Sequence, residues 1–200
     1  MAEGRVNRRE MILQTLAQLL EDTPNQRITT AGLAKQVGVT EAALYRHFPS
    51  KRKMFDGLIN FAEDAVFGRC PQILESEPDV RERLALLTRL LLVFAERNPG
   101  IVRVLNGSAL NGEDDQLQAR ASQFFERFEL QVRQVLKLGD IEQQQTPQGS
   151  YGQGAAFIMA QLEGRIQRFT RSGFRHKPTS DWDRIWPQVL EVVYEELEVA

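Results

Sequence analysis

Cysteine and histidine are almost missing: one Cys70 and two histidines, His47 and His176, occur in 200 residues. An internal disulfide is excluded, and no His/Cys set with metal-ligand spacing exists. No metal and no cofactor are therefore expected. Long apolar runs are also lacking. The longest, around Leu84–Ala95, is interrupted by Arg89 and falls well short of the ~20 residues that cross a bilayer. The opening MAEGRV has no apolar signal-peptide core, so a cytoplasmic protein is expected. No glycine-rich phosphate loop or HExxH is present. The carboxylates are spaced as solvated helix faces, and Cys70 beside Pro71 reads as a packed thiol rather than a nucleophile. An enzyme is not expected. Sustained apolar–polar alternation, the mark of strands, is absent as well.

Helical periodicity fills the chain instead and predicts an all-α fold of about nine helices. Arg8–Glu21 places Ile12, Leu13, Leu16, Leu19 and Leu20 on one stripe. Thr30 is expected to cap a short helix over Ala31–Val37, and Gly38 to supply a left-handed turn. Thr40 is expected to cap Glu41–Phe48, which Pro49 stops. Ser50 opens a long helix to Arg69. Helices follow over Asp79–Glu96, Gly100–Ser108, Glu113–Leu138, Ala155–Ser172 and Asp181–Val199. Residues 139–154, rich in glycine and glutamine, are expected to form a loop.

Charge divides the chain. Residues 1–53 hold nine Lys/Arg and five Asp/Glu, a net of +4, while 54–200 hold 16 and 22, a net of −6. A basic head on an acidic body suits a protein whose head meets phosphates. The expected domains are a DNA-binding head over 1–53 and a helical dimerisation and partner-binding body over 54–200.

Function concentrates in residues 29–51, TTAGLAKQVGVTEAALYRHFPSK. Two short helices joined by a tight glycine turn make a helix-turn-helix, whose second helix can enter a major groove. Ala42 and Ala43 give that helix a thin leading edge. Leu44 and Phe48, four apart, belong to the core, which leaves Tyr45, Arg46 and His47 on the exposed side. Thr29, Thr30, Thr40 and Lys51 lie at or near helix starts, where side-chain donors and free N–H groups suit phosphate oxygens.

These residues resemble the DNA-binding module of the TetR/AcrR family: a capped helix, a Gly-Val turn, then Leu-Tyr-x-His/Tyr-Phe-x-x-Lys, matched here by Leu44, Tyr45, His47, Phe48 and Lys51. Residues 7–12, 26–59, 94–100 and 125–136 are similar to the family's nucleoid occlusion branch. That resemblance implies a homodimer on palindromic double-stranded DNA. It also implies an inhibitor of the tubulin-like division protein FtsZ that is associated with the nucleoid. The positions implied for the FtsZ contact are Phe61, Arg69, Leu90, Arg97 and Asn98, with Val93 standing where the branch has glycine. The last two helices are expected to pair two copies in a four-helix bundle. Ile158, Leu162, Ile166, Phe169, Trp182, Trp186, Val189 and Val193 would form that interface. The alternative is a ligand-responsive repressor on the same scaffold, with Trp182 and Trp186 lining a ligand pocket. A small-molecule ligand is the less favoured expectation.

Overall fold

In a computed structural model, the described residues are 7–23, 26–110 and 115–194. They form ten α-helices and no strand: α1 Arg8–Asp22, α2 Thr30–Val37, α3 Glu41–His47, α4 Lys51–Phe67, α5 Cys70–Ser76, α6 Val80–Arg97, α7 Pro99–Leu105, α8 Asp115–Gln143, α9 Tyr151–Arg171 and α10 Trp182–Tyr194. None of them is long and apolar enough to cross a membrane. No group of His, Cys, Asp and Glu among the described residues could hold a metal ion.

Several boundaries differ from the sequence expectation, each for a local reason. The long fourth helix stops at Phe67 and a separate α5 starts at Cys70, with Pro71 in its first turn. Proline has no N–H and would crowd the carbonyl four residues back, so it is tolerated where a helix begins. Cys70 is buried, its Sγ 3.4 Å from the Val66 carbonyl, and burial pushes its thiol pKa up. The expected loop from 139 is helical to Gln143. Gly139 permits a close approach there, since a Cβ would lie 2.6 Å from a Val80 methyl. Gln143 then serves the start of α6: its Oε1 accepts from the Val80 N–H at 3.1 Å, and its amide donates to the Pro78 carbonyl. On the far side of the loop, α9 begins at Tyr151, four residues early. Ser150 and Gln153 form a reciprocal capping box that overrides the weak helix propensity of Gly152 and Gly154. Glu113 and residues beyond Tyr194 lie outside the described set.

The chain divides into two compact units. One comprises the described residues up to Ala62 with Asn98–Ser122, and the other Glu63–Arg97 with the residues from Gln123 onward. The first unit is therefore larger than the head expected at residue 53, because α7 packs against α1. Gly100 makes this possible: a Cβ there would lie 1.9 Å from the Ala17 carbonyl oxygen. Ile12, Leu16, Leu20, Leu33, Leu44, Phe48, Met54 and Phe55 form its core.

In the second unit, α6, α9 and α10 bury their apolar stripes together. Trp182 donates from Nε1 to the Thr88 hydroxyl at 3.3 Å and lies 5.5 Å from Trp186, centroid to centroid. This corrects the expected interface. Ile158, Leu162, Ile166, Phe169, Trp182, Trp186, Val189 and Val193 are all buried within one protomer. An amphipathic helix has a single apolar stripe, and here the protomer's own core consumes it.

Candidate nucleic-acid interface

The turn between α2 and α3 is built from three local features. Thr29, extended at φ −105°, accepts on its side chain from the Gly32 N–H at 3.1 Å. Thr29 rather than Thr30 is thus the N-cap, and Thr30 is the first helical residue. Gly38 ends α2 at φ 76°, a left-handed conformation that a side chain resists. Thr40 caps α3 by accepting from the Ala43 N–H at 3.2 Å. Each hydroxyl satisfies one of the donors that a helix start leaves open.

Burial sorts α3 into two faces. Leu44 and Phe48 are 0% and 1% exposed and anchor the helix in its unit. The Arg9 guanidinium stacks 4.4 Å above the Phe48 ring. Outward lie Ala42, Tyr45, Arg46 and His47, all exposed, with Ala43 half-buried. Tyr45 is 43% exposed although it carries a large ring. Its hydroxyl donates at 3.5 Å to Thr30, whose own hydroxyl donates at 2.7 Å to the Glu41 carboxylate. This Tyr45–Thr30–Glu41 chain ties the first turn of α2 to the exposed face of α3. Glu41 escaped the sequence reading as a site residue. Its first-turn position suggested only a favourable place near the positive end of the helix. Lys51 stands at the start of α4 with its Nζ 5.5 Å from the Phe55 ring centre. Thr29, Thr30, Thr40, Ala42, Ala43, Tyr45, Arg46, His47 and Lys51 all belong to one compact unit, and none is sealed inside it.

The face so formed is slim where two alanines lead, and rich in hydroxyls and cations around them. Such a surface can enter a groove and bind phosphate oxygens without burying a charge unpaired.

The six expected partner positions divide between the units. Phe61, half exposed on α4, and Asn98 at the head of α7 belong to the first. Arg69, Leu90, Val93 and Arg97 belong to the second. On α6, Leu90 and Val93 are half-buried and Arg97 is exposed. Leu86, 40% exposed and one turn before Leu90, lengthens the same stripe. It was missed in the sequence because the apolar run around it reads as uniformly buried. The 86, 90, 93, 97 spacing was the available signal.

Comparison with known proteins agrees with these features. Residues 12–58 match the model for bacterial regulatory proteins of the tetR family, and residues 79–194 match a tetracyclin repressor-like, SlmA-like C-terminal domain. The chain is 60% identical to the nucleoid occlusion factor SlmA of Marinobacter nauticus, across 97% of this chain and 100% of that protein. It is 51% identical to the SlmA of Photobacterium profundum, across 91% and 93%. Among solved structures, the transcriptional regulator FadR of Bacillus subtilis, in complex with stearoyl-CoA, superposes with a TM-score of 0.78 at 11% identity, covering 92% of this chain and 98% of that one. The TetR-family regulator PfmR of Thermus thermophilus gives 0.72 at 21%, covering 94% and 98%. At such identities the structures speak for the fold alone.

Proposed function

From the premise that this chain belongs to the TetR family of DNA-binding regulators, we propose that it is a nucleoid occlusion factor. In this reading it is a homodimer that holds palindromic chromosomal sites and, in that state, inhibits assembly of the division protein FtsZ over the nucleoid. The single observation that carries the reading is the 60% identity to a nucleoid occlusion factor over nearly the full length, which takes in both the helix-turn-helix and the C-terminal body.

Residues 1–53 are assigned to DNA and 54–200 to pairing and partner binding. A recognition helix as short as α3 buries too little to be specific alone. Two copies spaced about 34–36 Å apart read two half-sites. Thr29, Thr30, Thr40, Arg46 and Lys51 would hold phosphates, while Ala42, Ala43, Tyr45 and His47 meet the groove. Phe61, Arg69, Leu90, Val93, Arg97 and Asn98 are the positions assigned to FtsZ, the apolar ones suiting an apolar anchor and Arg69, Arg97 and Asn98 polar contacts. Val93 adds bulk where the resemblance implies a glycine. The cytoplasm, at the nucleoid, is the location this activity requires.

Sedimentation of FtsZ polymers in the presence of this protein, with and without a palindromic site, tests the reading. Reduced polymer only when DNA is added is the expected result. Polymer yield untouched by the DNA-bound protein overturns it.

A further inference from the structure

The exposed edge of α3 carries one group that works against phosphate. Glu41 is the only acidic residue between positions 26 and 53, a stretch with six Lys/Arg, at 27, 35, 46, 51, 52 and 53. It is exposed in the first turn of α3, immediately before Ala42 and Ala43. Among the described residues no cation pairs with it. Its one hydrogen bond there is accepted at Oε2 from the Thr30 hydroxyl, at 2.7 Å, and Tyr45 supports Thr30 at 3.5 Å. Oε1 stays open. Thr30 belongs to α2, so the carboxylate is held in place from outside its own helix, and little side-chain freedom is left to lose on binding.

Helix stabilisation alone does not require this arrangement. An acid in the first turn suits the positive end of a helix whichever way its side chain points. Thr40 already caps α3 by accepting from the Ala43 N–H. Against a duplex, the Glu41 charge repels every phosphate. A favourable contact with DNA must therefore come from a base edge that donates. In the major groove only two groups do so, the N4 amino group of cytosine and the N6 amino group of adenine. Guanine offers O6 and N7, and thymine O4 and a methyl group. Adenine sets its own N7 acceptor beside the amino group, which repels a carboxylate and suits an amide. Cytosine presents its donor with no such neighbour on its own edge. The first residues of a recognition helix are the ones that reach these edges.

We propose that Glu41 is a specificity-determining residue: its Oε1 accepts from the N4 amino group of a cytosine in each half-site, while Thr30 holds Oε2. The carboxylate then enters the groove with a donor on each oxygen. Thr30 acts as a positioning residue. The proposal rests on this face binding DNA and is independent of the FtsZ assignment.

Selection of the full-length protein on a randomised duplex pool, with sequencing of the bound fraction, tests it. Wild type should enrich a palindrome with cytosine fixed at one position per half-site. Glu41→Ala should accept any base there and leave the other positions unchanged. Its affinity for unselected duplex should rise, since a charge that repels phosphates is gone. Glu41→Gln keeps the length and adds a donor, so the preference should move from cytosine to adenine. On the enriched site, replacing that cytosine by thymine should weaken wild type by about tenfold and Glu41→Ala far less. Circular dichroism reports the fold, and Glu41→Gln decides alone should Glu41→Ala not fold. Identical base profiles in wild type and Glu41→Gln would leave Glu41 a helix-end charge only and overturn the proposal. A wild type that enriches no sequence would overturn base reading by this face as well, which separates the two failures.

Discussion

Arg103 in α7 donates from Nη1 to the main-chain carbonyl of Leu20 in α1 at 2.6 Å, although its side chain is buried. The last carbonyls of a helix have no partner within it, and the last turn of α1 contains no basic residue. Arg103 supplies from a distant part of the chain the cation that α1 lacks. Burial pulls its pKa down, but an arginine starts too high for that to matter at neutral pH. Arg103→Met keeps the length and loses the donor. It should destabilise the first unit by about 1.5–3 kcal/mol, read as a lower urea midpoint. An unchanged midpoint would show that the bond contributes nothing.

Gly100 carries a second constraint on the same junction. A methyl group there would meet the Ala17 carbonyl oxygen and carbon, at 1.9 and 2.9 Å, and the Glu21 nitrogen. These are backbone atoms, which cannot swing aside as a side-chain tip would. Gly100→Ala must separate α7 from α1, at a cost of about 1–3 kcal/mol or more. Helix propensity alone favours alanine by about 1 kcal/mol, so thermal melting reports the balance. A raised melting temperature would refute the close approach.

The exposed side of α3 gives a prediction in salt dependence. Arg46→Ala should lower the slope of log affinity against log salt by about 0.9, if the side chain neutralises one phosphate. Tyr45→Phe removes a hydroxyl and no charge. It should weaken binding at every salt concentration and leave the slope alone. Fluorescence anisotropy on a palindromic duplex separates the two effects. Identical slopes in wild type and Arg46→Ala would remove Arg46 from the phosphate contacts.

Glu96 provides a pH test. Hydrogen bonds from Thr179 and then Lys177 hold its carboxyl below the usual range, against a smaller opposing effect of burial. A depressed folded-state pKa contributes stability that is fully present above the unfolded value. That stability is lost as pH falls through the folded one. The difference in urea midpoint between wild type and Glu96→Gln should therefore be largest near neutral pH and shrink on acidification below the ordinary carboxylate range. A gap that stays constant as pH falls would mean that the carboxylate form is not what the contacts favour.

The helices and the recognition edge were legible because they depend on neighbours in sequence. Leu44 and Phe48 share one side by spacing alone, and Gly38 followed by Thr40 marks a turn and a cap. What was not legible depends on long-range contact. Gly139 reads as loop until Val80 is seen against it. The eight residues from Ile158 to Val193 were read correctly as an apolar stripe. Periodicity cannot say whether such a stripe faces the same chain or another copy. Pairing of α9 with α6 and α10 decided that.

The inward turn of α9 and α10 also bears on how two copies live together. With their apolar residues already committed, each protomer keeps its hydrophobic interior whether or not a second molecule is present. Obligate dimers, by contrast, unfold when they part. A pairing of two copies through the outward side of α9 would then be a meeting of finished surfaces, of small residues such as Ala156, Ala160 and Gly164, all exposed in the protomer. Dilution should separate the copies without melting either one.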